Sequence, residues 1–274
     1  MNTDDRQAYQ KIIARTYDER SSNHDRSAWH RETALRLVAD LPPRLGDSVL
    51  DIATGTGVIA FHAASLVGAE GKVIGVDLSE GMLAQANAKL SASSLRNLKF
   101  VLADAEKLEY PPRSFDRIYC ASAFFWMLDP AAALRHWHDL LKPGGGLGFH
   151  ALPDTSYVWV SVAREVLAQY GVSYVLNCPT GSIERCRELL AGAGYRNIDI
   201  REAQHGYYIP LEQAKTAWIT KEDFSPGQHP NPLMSVSPEI IAQAQRDYDA
   251  RMDKLNTDQG VWNDITMYYV YGEK

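Results

Sequence analysis

Cysteine is scarce in this sequence of 274 residues, which contains Cys120, Cys178 and Cys186 and no others. The number is odd and no two cysteines form a C-x-x-C pair. This pattern argues against a disulfide framework and a structural zinc site, and it indicates a reducing compartment. H-x-x-H pairs are absent as well. We therefore expect a cytoplasmic protein without a bound metal.

Long apolar runs are also missing from the sequence. No stretch reaches the ~18 to 20 apolar residues that a membrane-spanning helix requires. The first ten residues, MNTDDRQAYQ, are acidic and polar, and they therefore differ from a secretory signal peptide. We expect no membrane span.

Positive charge is in deficit, because 28 lysines and arginines stand against 34 aspartates and glutamates, for a net charge of −6. Domains that bind nucleic acids usually carry a basic surface, so we expect no nucleic-acid partner. The hydrophobic fraction of 45% can supply a sizeable core. The length suits one large α/β domain with an insertion.

Short apolar segments alternate with helical patterns between residues 45 and 150. Ser79 and Asp129-Pro130 are typical of helix starts, and Lys142 to Gly146 is typical of a helix stop. Apolar strands separated by helices indicate a parallel sheet covered on both faces. Ligands of such sheets bind beyond the carboxyl ends of the strands. The predicted strands cover residues 49–53, 73–77, 99–103, 115–121 and 147–151.

The rest of the chain divides around this sheet domain. Residues 1–40 predict an N-terminal helical cover, and residues 41–203 predict the sheet domain, with a helical insertion at about 152–180. Residues 204–260 begin with a segment rich in aromatic residues, proline and histidine, and they predict a substrate-side insertion. Residues 261–274 predict the terminal strand of the sheet. A homodimer stays an open alternative.

The stretch VLDIATGTG, residues 49–57, ends an apolar strand in a loop of small residues. With the residues that follow it fits the G-x-G-x-x-A fingerprint of dinucleotide-binding proteins. Asp51, Asp77 and Asp104 lie at or near three adjacent strand ends and would form a negative crevice. Such a crevice opposes a pyrophosphate but attracts the sulfonium and ammonium groups of S-adenosylmethionine. An NAD(P)-dependent oxidoreductase is the competing interpretation.

At this point the sequence resembles the class I S-adenosylmethionine-dependent methyltransferases. The resemblance is closest to the small-molecule branch that includes ubiquinone and menaquinone biosynthesis enzymes and natural-product methyltransferases. It implies a Rossmann-like, mostly parallel seven-stranded sheet with helices on both faces. One departure is Ala53, where many members have glycine; alanine is a minor change there if its φ is negative. The matching motifs are VLDIATGTG (49–57), VIGVDLS (73–79), LADAEKL (102–108), FDRIYCASAFFWMLDP (115–130) and LLKPGGGLGFH (140–150).

The resemblance implies which residues would contact the cofactor. The small loop after the first strand would approach its methionine and ribose parts, an acid after the second strand would bind the ribose diol, and residues after the third would face adenine. The fourth strand would end under the methionine moiety, and an aromatic of the N-terminal cover would close over the cofactor. The implied residues are Tyr17, Asp51, Ala53, Gly55, Gly57, Asp77, Leu78, Met82, Asp104, Ala105, Ala121 and Ser122.

Histidines near strand ends are the candidate general bases, because a base can assist transfer to an acceptor that carries a proton; the sequence leaves open whether one is used. We predict His150 and His205 for this role, and Trp126, Tyr157 and His24 as substrate contacts. The sequence thus predicts transfer of a methyl group to O, C or N of a small, aromatic or apolar metabolite. A cofactor-binding protein without catalysis is the third alternative.

Overall fold

A computed structural model describes residues 3–26, 28–174, 180–219 and 231–274. Cys178 and parts of the two predicted insertions lie outside these ranges. By its internal contacts the chain divides into two compact units. Unit 1 comprises residues 1–150, 187–200 and 269–274, and unit 2 comprises residues 151–186 and 201–268.

A seven-stranded sheet has the order β3-β2-β1-β4-β5-β9-β6. Its first five strands pair in parallel, as the alternating pattern predicts, and β1 lies between β2 and β4. The order reverses between β1 and β4, and this reversal is where ligands of open α/β sheets bind. The strands are β1 (Ser48–Ile52), β2 (Lys72–Asp77), β3 (Leu98–Leu102), β4 (Phe115–Cys120), β5 (Leu141–Ala151), β6 (Arg196–Gln204) and β9 (Thr266–Glu273).

Helices connect these strands and also precede them. In α3 the small and branched residues Ile59, Ala60 and Ala63 are buried, whereas Asp129 and Pro130 begin α5 as the sequence predicts. The expected Rossmann-like α/β fold is therefore confirmed. The helices are α1 (Thr3–Arg20), a 3-10 helix (Ser21–Arg26), α2 (Ala28–Asp40), α3 (Val58–Val67), α4 (Glu80–Ser91), α5 (Pro130–Leu140), α6 (Val158–Gln169) and α7 (Ile183–Gly192).

The glycine-rich segment before the fifth strand differs from the expectation. We predicted a helix stop followed by a strand from residue 147, but β5 begins at Leu141. Its pairing with β4 jumps from Phe115 opposite Leu141 to Arg117 opposite Gly146, and Gly144 has a φ of 76°. The segment therefore forms an irregular extension of the strand, because glycines tolerate the extra, unpaired positions.

Unit 2 contains a two-stranded antiparallel sheet of β7 (Tyr207–Ile209) and β8 (Val261–Asn263), together with α6, α8 (Leu211–Thr216) and α9 (Pro238–Leu255). Its own buried cluster includes Ile209, Trp218 and Tyr248. The Tyr248 hydroxyl donates to the Ala214 carbonyl at 2.6 Å. No described helix is long and apolar enough to cross a membrane.

Candidate functional site

Unit 1 contains a cavity of about 780 Å³ at the carboxyl ends of its strands. This volume lies within the roughly 300 to 1,000 Å³ that is usual for small-molecule sites. The lining residues come from the loops after β1, β2, β3 and β4, and from the segment that runs through α1, the 3-10 helix and the start of α2. The cavity thus lies where the strand order reverses.

The loop after β1 turns back by means of left-handed backbone. Gly55 has a φ of 55° and Gly57 a φ of 92°. A Cβ atom on Gly57 would lie 2.8 Å from Phe100 Cζ and 2.9 Å from Phe61 Cε2, so only glycine fits there. Ala53 has a φ of 51°. The negative φ that would make alanine a minor change is therefore not found at Ala53, and the alanine occupies a conformation that favours glycine.

Asp51 lies behind this loop and is 2% exposed. Its Oδ2 accepts hydrogen bonds from the Thr54 hydroxyl at 2.5 Å and from the Ala60 amide at 3.1 Å. Burial raises the pKa of Asp51 to about 7, against the lowering effect of these two donors, and the nearby charge of Asp77 raises it further. The site thus holds a carboxyl group that a bound cation would ionise.

Asp77 ends β2 and its two oxygens have separate backbone partners. Oδ2 accepts from the Gly55 amide at 2.8 Å and Oδ1 from the Ser79 amide at 2.9 Å. Burial raises the pKa of Asp77, and these amides oppose the rise. Asp77 therefore links the glycine loop to the start of α4. Leu78 and Met82 beside it line the cavity, and Met82 is 1% exposed.

Asp104 follows β3 and contacts the N-terminal helix. Its Oδ2 accepts from Gln10 Nε2 at 2.7 Å, and its Oδ1 accepts from the Glu106 amide at 2.9 Å. Arg6 lies 2.8 Å from Glu106 Oε2 and 3.7 Å from Asp104 Oδ2. Asp104 and Ala105 both line the cavity, as the predicted adenine contacts should.

The segment after β4 brings Ala121, Ser122 and Trp126 to the cavity. Ser122 has a φ of 52°, so this turn, like Ala53, holds a residue other than glycine in the left-handed region. Trp126 Nε1 donates to the Tyr17 hydroxyl at 2.9 Å, and the two rings meet edge to face. Burial raises the pKa of Tyr17, which keeps its hydroxyl protonated.

The structure places His150 behind this turn and not among the residues that line the cavity. The side chain is 1% exposed. Its Nδ1 lies 3.2 Å from both the amide and the hydroxyl of Ser122, and its ring contacts Tyr269 edge to face. Because Nδ1 accepts the Ser122 amide proton, it carries no proton itself. In this arrangement His150 supports the strained turn.

Two further predicted site residues belong to unit 2. Tyr157 has a φ of 64° at the start of α6 and stacks against Trp159, while the His205 amide donates to the Ile265 carbonyl at 2.9 Å. Neither residue lines the cavity of unit 1. Their roles as substrate contact and base stay predictions.

His24 belongs to the 3-10 helix and lies over the glycine loop. Its Nε2 would be 3.5 Å from a Cβ atom placed on Gly55. Burial lowers the pKa of His24, and the charges of Asp25 and Asp77 oppose the decrease. We predicted a substrate contact for His24, but the structure places it beside the residues predicted to hold the cofactor.

Two aspartates that fasten the N-terminal segment were not predicted as site residues from the sequence. Asp18 Oδ1 accepts from the Ser79 hydroxyl at 2.5 Å and from the Gly81 amide at 2.8 Å. Asp25 accepts from the Thr56 hydroxyl at 2.5 Å and pairs with Lys89 at 2.6 Å. Of these partners, Ser79, Gly81 and Thr56 lie in or beside predicted cofactor loops, but a lone acid in a polar helix resembles any solvated charge.

No cluster of three or more potential metal ligands exists among the described residues. The chemistry of the cavity is instead that of buried carboxyl groups, left-handed backbone and aromatic walls.

A family of methyltransferase domains matches residues 49–145. The chain is 35% identical over 144 residues to the aklanonic acid methyltransferase DauC of Streptomyces sp. (strain C5), which covers 52% of this chain and 66% of that protein. It is 40% identical over 103 residues to the ubiquinone/menaquinone biosynthesis C-methyltransferase UbiE of Coxiella burnetii (strain Dugway 5J108-111), which covers 37% and 41%. The chain thus spans less than two thirds of either relative.

The YcgJ protein of Bacillus subtilis has a similar fold, with a TM-score of 0.60 over 89% of this chain and 98% of that one. The identity of 18% limits this likeness to the fold. The family match over residues 49–145 and the two relatives bear out the resemblance of this chain to the methyltransferases.

Proposed function

We propose that this chain uses S-adenosylmethionine to methylate O, C or N of a small, aromatic or apolar metabolite. One observation carries the proposal most directly. Two buried carboxyl groups with raised pKa values, Asp51 and Asp77, stand beside a left-handed backbone loop in one cavity. Burial disfavours the ionised form of a carboxyl group, and a bound cation stabilises that form whereas a pyrophosphate opposes it. These two groups therefore favour a cationic ligand over a pyrophosphate.

The residues present fit this cofactor. Gly55 carries no Cβ atom and faces the cavity, so backbone can approach a ligand there. Asp77 is held in place by two amides and has further lone pairs for a ribose diol. Asp51 would face the ammonium group, and Asp104 and Ala105 would face adenine. When bound, this cofactor supplies a methyl group already activated by a sulfonium.

The chain's own contribution to such a transfer is placement and exclusion of water. In-line displacement needs the acceptor atom about 3 Å from the methyl carbon and opposite the leaving sulfur. Trp126 and Tyr17 form one fixed wall, since a hydrogen bond joins them. The Tyr9 hydroxyl donates to the Trp126 carbonyl at 3.1 Å and fixes this wall from the other side.

The lining of the cavity supports an apolar or aromatic acceptor. Its apolar side chains belong to different elements of unit 1, and they can enclose a flat molecule. The names of the two relatives agree with small-molecule biosynthesis, and one of them specifies transfer to carbon. The apolar lining residues include Tyr9, Ile13, Tyr17, Phe61, Trp126 and Met127.

Titration calorimetry with S-adenosylhomocysteine tests the cofactor assignment. Loss of a charge-assisted hydrogen bond costs about 1.5–3 kcal/mol, so Asp77→Asn should weaken binding roughly tenfold to a hundredfold. Glu70→Gln, at an exposed position, is the control and should bind like the wild type. Equal affinity in the Asp77→Asn variant would remove the ribose assignment.

Labelled methyl transfer to a panel of quinols, phenols and polyketide-like aromatics tests the activity. We expect turnover on at least one member, with no dependence on added metal. Tight binding of NADH in place of S-adenosylhomocysteine would instead favour the oxidoreductase. Cofactor binding without turnover on every class of acceptor would favour a non-catalytic binding protein.

A further inference from the structure

The side-chain amide of Gln10 reaches the cavity from the N-terminal helix α1. Gln10 is partly buried and lines the cavity, and its Nε2 donates to Asp104 Oδ2 at 2.7 Å. Among the described residues, this bond is the only one that the amide makes. Its carbonyl oxygen and its second N–H are therefore available to a ligand as an acceptor and a donor side by side.

Contacts on both sides of Gln10 hold this part of α1 against the loop after β3. The neighbouring Tyr9 is 1% exposed and therefore packs into the core. Arg6 lies one turn earlier on the same face of the helix, and it pairs with Glu106 at 2.8 Å. The position of the Gln10 amide beside Asp104 is thus set by the fold itself.

The contact with Asp104 also decides which way round the amide lies. A glutamine amide can be turned over so that its oxygen and nitrogen exchange places, and its hydrogen-bond partners select one orientation. An ionised carboxylate only accepts hydrogen bonds, so the nitrogen of Gln10 faces Asp104 and the oxygen faces away. Asp104 Oδ1 accepts from the Glu106 amide at 2.9 Å, which holds the carboxylate in turn.

We propose that Gln10 recognises the base of the cofactor and makes the site specific for adenine. The amino group of adenine lies next to a ring nitrogen, so a donor and an acceptor stand side by side on the base. A glutamine amide matches this pair, because its oxygen accepts from the amino group and its N–H donates to the ring nitrogen. The proposal rests on the proposed methyltransferase function, since S-adenosylmethionine supplies the adenine.

The fixed orientation of the amide converts this match into a preference for one base. Hypoxanthine and guanine carry a carbonyl oxygen where adenine carries its amino group. That oxygen would meet the oxygen of Gln10, and turning the amide over would bring the Gln10 oxygen against the carboxylate of Asp104. A good bidentate contact of this kind discriminates between bases by roughly tenfold to a hundredfold.

Titration calorimetry with modified bases separates the contribution of Gln10 from that of Asp104. The ligands are S-adenosylhomocysteine, its inosine analogue, and two analogues with carbon in place of ring nitrogen N1 or N7. We expect one of the two carbon-substituted analogues to bind the wild type about tenfold more weakly than S-adenosylhomocysteine, and this difference to vanish in Gln10→Leu. Asp104 cannot produce such a difference, because a carboxylate has no proton to donate to a ring nitrogen.

Gln7→Leu is the matched control, because Gln7 is an exposed glutamine of the same helix that does not line the cavity. The control should keep the wild-type preference for S-adenosylhomocysteine over the inosine analogue. Gln10→Leu should reduce that preference about tenfold and bind the inosine analogue at least as well as the wild type does.

Two results would overturn the assignment of Gln10. One is an equal weakening of all the ligands in Gln10→Leu, because a residue that only supports the fold would affect every ligand alike. The other is a ratio of affinities for the carbon-substituted analogues and S-adenosylhomocysteine that is the same in Gln10→Leu as in the wild type. Failure of the wild type to bind S-adenosylhomocysteine at all would contradict the proposed function instead.

Discussion

At the residue scale, the buried carboxyl group of Asp51 gives the predicted binding site a preference for cationic ligands. Its side chain is fully buried, and burial outweighs the two hydrogen bonds that favour its ionised form. A cationic group beside Asp51 would lower its pKa and offset the free-energy cost of ionising a buried carboxyl group. The same carboxylate would oppose an incoming phosphate. The selectivity for a cation over a phosphate therefore depends on the protonation equilibrium of Asp51 as much as on the shape of the cavity.

The raised pKa of Asp51 predicts how the ligand-free protein responds to pH. The pKa of about 7 in the folded state exceeds the roughly 3.9 of an unfolded aspartate. Between these values the folded state binds the extra proton, so stability is highest below pH 4 for this group and falls as the pH rises towards 7. Three units at 1.36 kcal/mol each amount to about 4 kcal/mol.

Asp51→Asn should remove this contribution, because the amide does not ionise but still offers an acceptor to Thr54 and Ala60. Denaturant unfolding at pH 5.5 and pH 8 should show that the variant loses less stability than the wild type across this interval. The variant should also bind S-adenosylhomocysteine more weakly. Asp139→Asn, at a 73% exposed side chain, should keep the wild-type slope; an unchanged slope in Asp51→Asn would contradict the assignment.

Strained residues in two turns indicate that the backbone there must approach a bound ligand closely. Ala53 and Ser122 have positive φ values, although each carries a Cβ atom. The cost of this conformation, about 1–2 kcal/mol per residue, is tolerated because surrounding contacts hold the chain. For Ser122 that contact is His150, whose Nδ1 accepts the amide proton. His150 thus holds the turn at Ser122, and its role as a general base stays a prediction.

At the scale of elements, α1 and the 3-10 helix are fastened to three separate loops that are predicted to hold the cofactor. Gln10 reaches Asp104 after β3, Asp18 caps the start of α4, and Asp25 binds Thr56 of the glycine loop. These contacts surround the predicted nucleotide position. A ligand held there would leave only after some of them break, so the N-terminal segment should control the dissociation rate.

Asp18→Ala/Asp25→Ala tests this control of dissociation. Each capping contact is worth about 0.5–2 kcal/mol, and exposed ion pairs add about 0–1 kcal/mol. We expect S-adenosylhomocysteine to dissociate about tenfold faster by stopped-flow displacement, and the free energy of unfolding to fall by no more than these contacts contribute. Arg15→Ala breaks only the surface pair with Glu19 and should dissociate like the wild type. A dissociation rate in the double variant equal to that of the wild type would contradict control by the N-terminal segment.

The elements of the sheet were more predictable from sequence than the contacts between them. Val49, Leu50 and Ile52 are fully buried, and such apolar runs identify parallel strands directly. The contacts of Asp18 and Asp25 join residues more than 30 positions apart, and nothing in local composition marks them. The same limit applies to the φ of Ala53, because the strain of one residue depends on distant packing.

The same difference, between features set by nearby residues in the sequence and features set by distant contacts, decided which candidate site residues could be placed from the sequence. Asp51, Asp77 and Asp104 sit at strand ends, so the alternating pattern was sufficient to bring them into one cavity. His150 also ends a strand, yet the sequence could not tell on which side of the turn its ring lies. The roles of Tyr157 and His205 stay predictions for the same reason.

At the scale of the whole molecule, all residues that line the cavity belong to unit 1. Unit 2 has a separate buried core around Tyr248 and Trp218. A ligand that contacts one unit stabilises that unit first, because local opening in each region has its own free energy. Binding of the cofactor product should therefore leave a pattern along the chain that follows the division into units.

Hydrogen exchange with and without S-adenosylhomocysteine should reveal this pattern. A ligand at a hundred times its Kd adds about 2.7 kcal/mol to any opening that releases it, which slows exchange roughly a hundredfold. We expect this protection in residues 51–57, 77–82 and 104–106, and in α1, but not in β7 or β8. The Asp77→Asn variant at the same ligand concentration should show much less protection. Protection centred on β7 and β8 would instead place the cofactor site in unit 2 and contradict the assignment made from the strand ends.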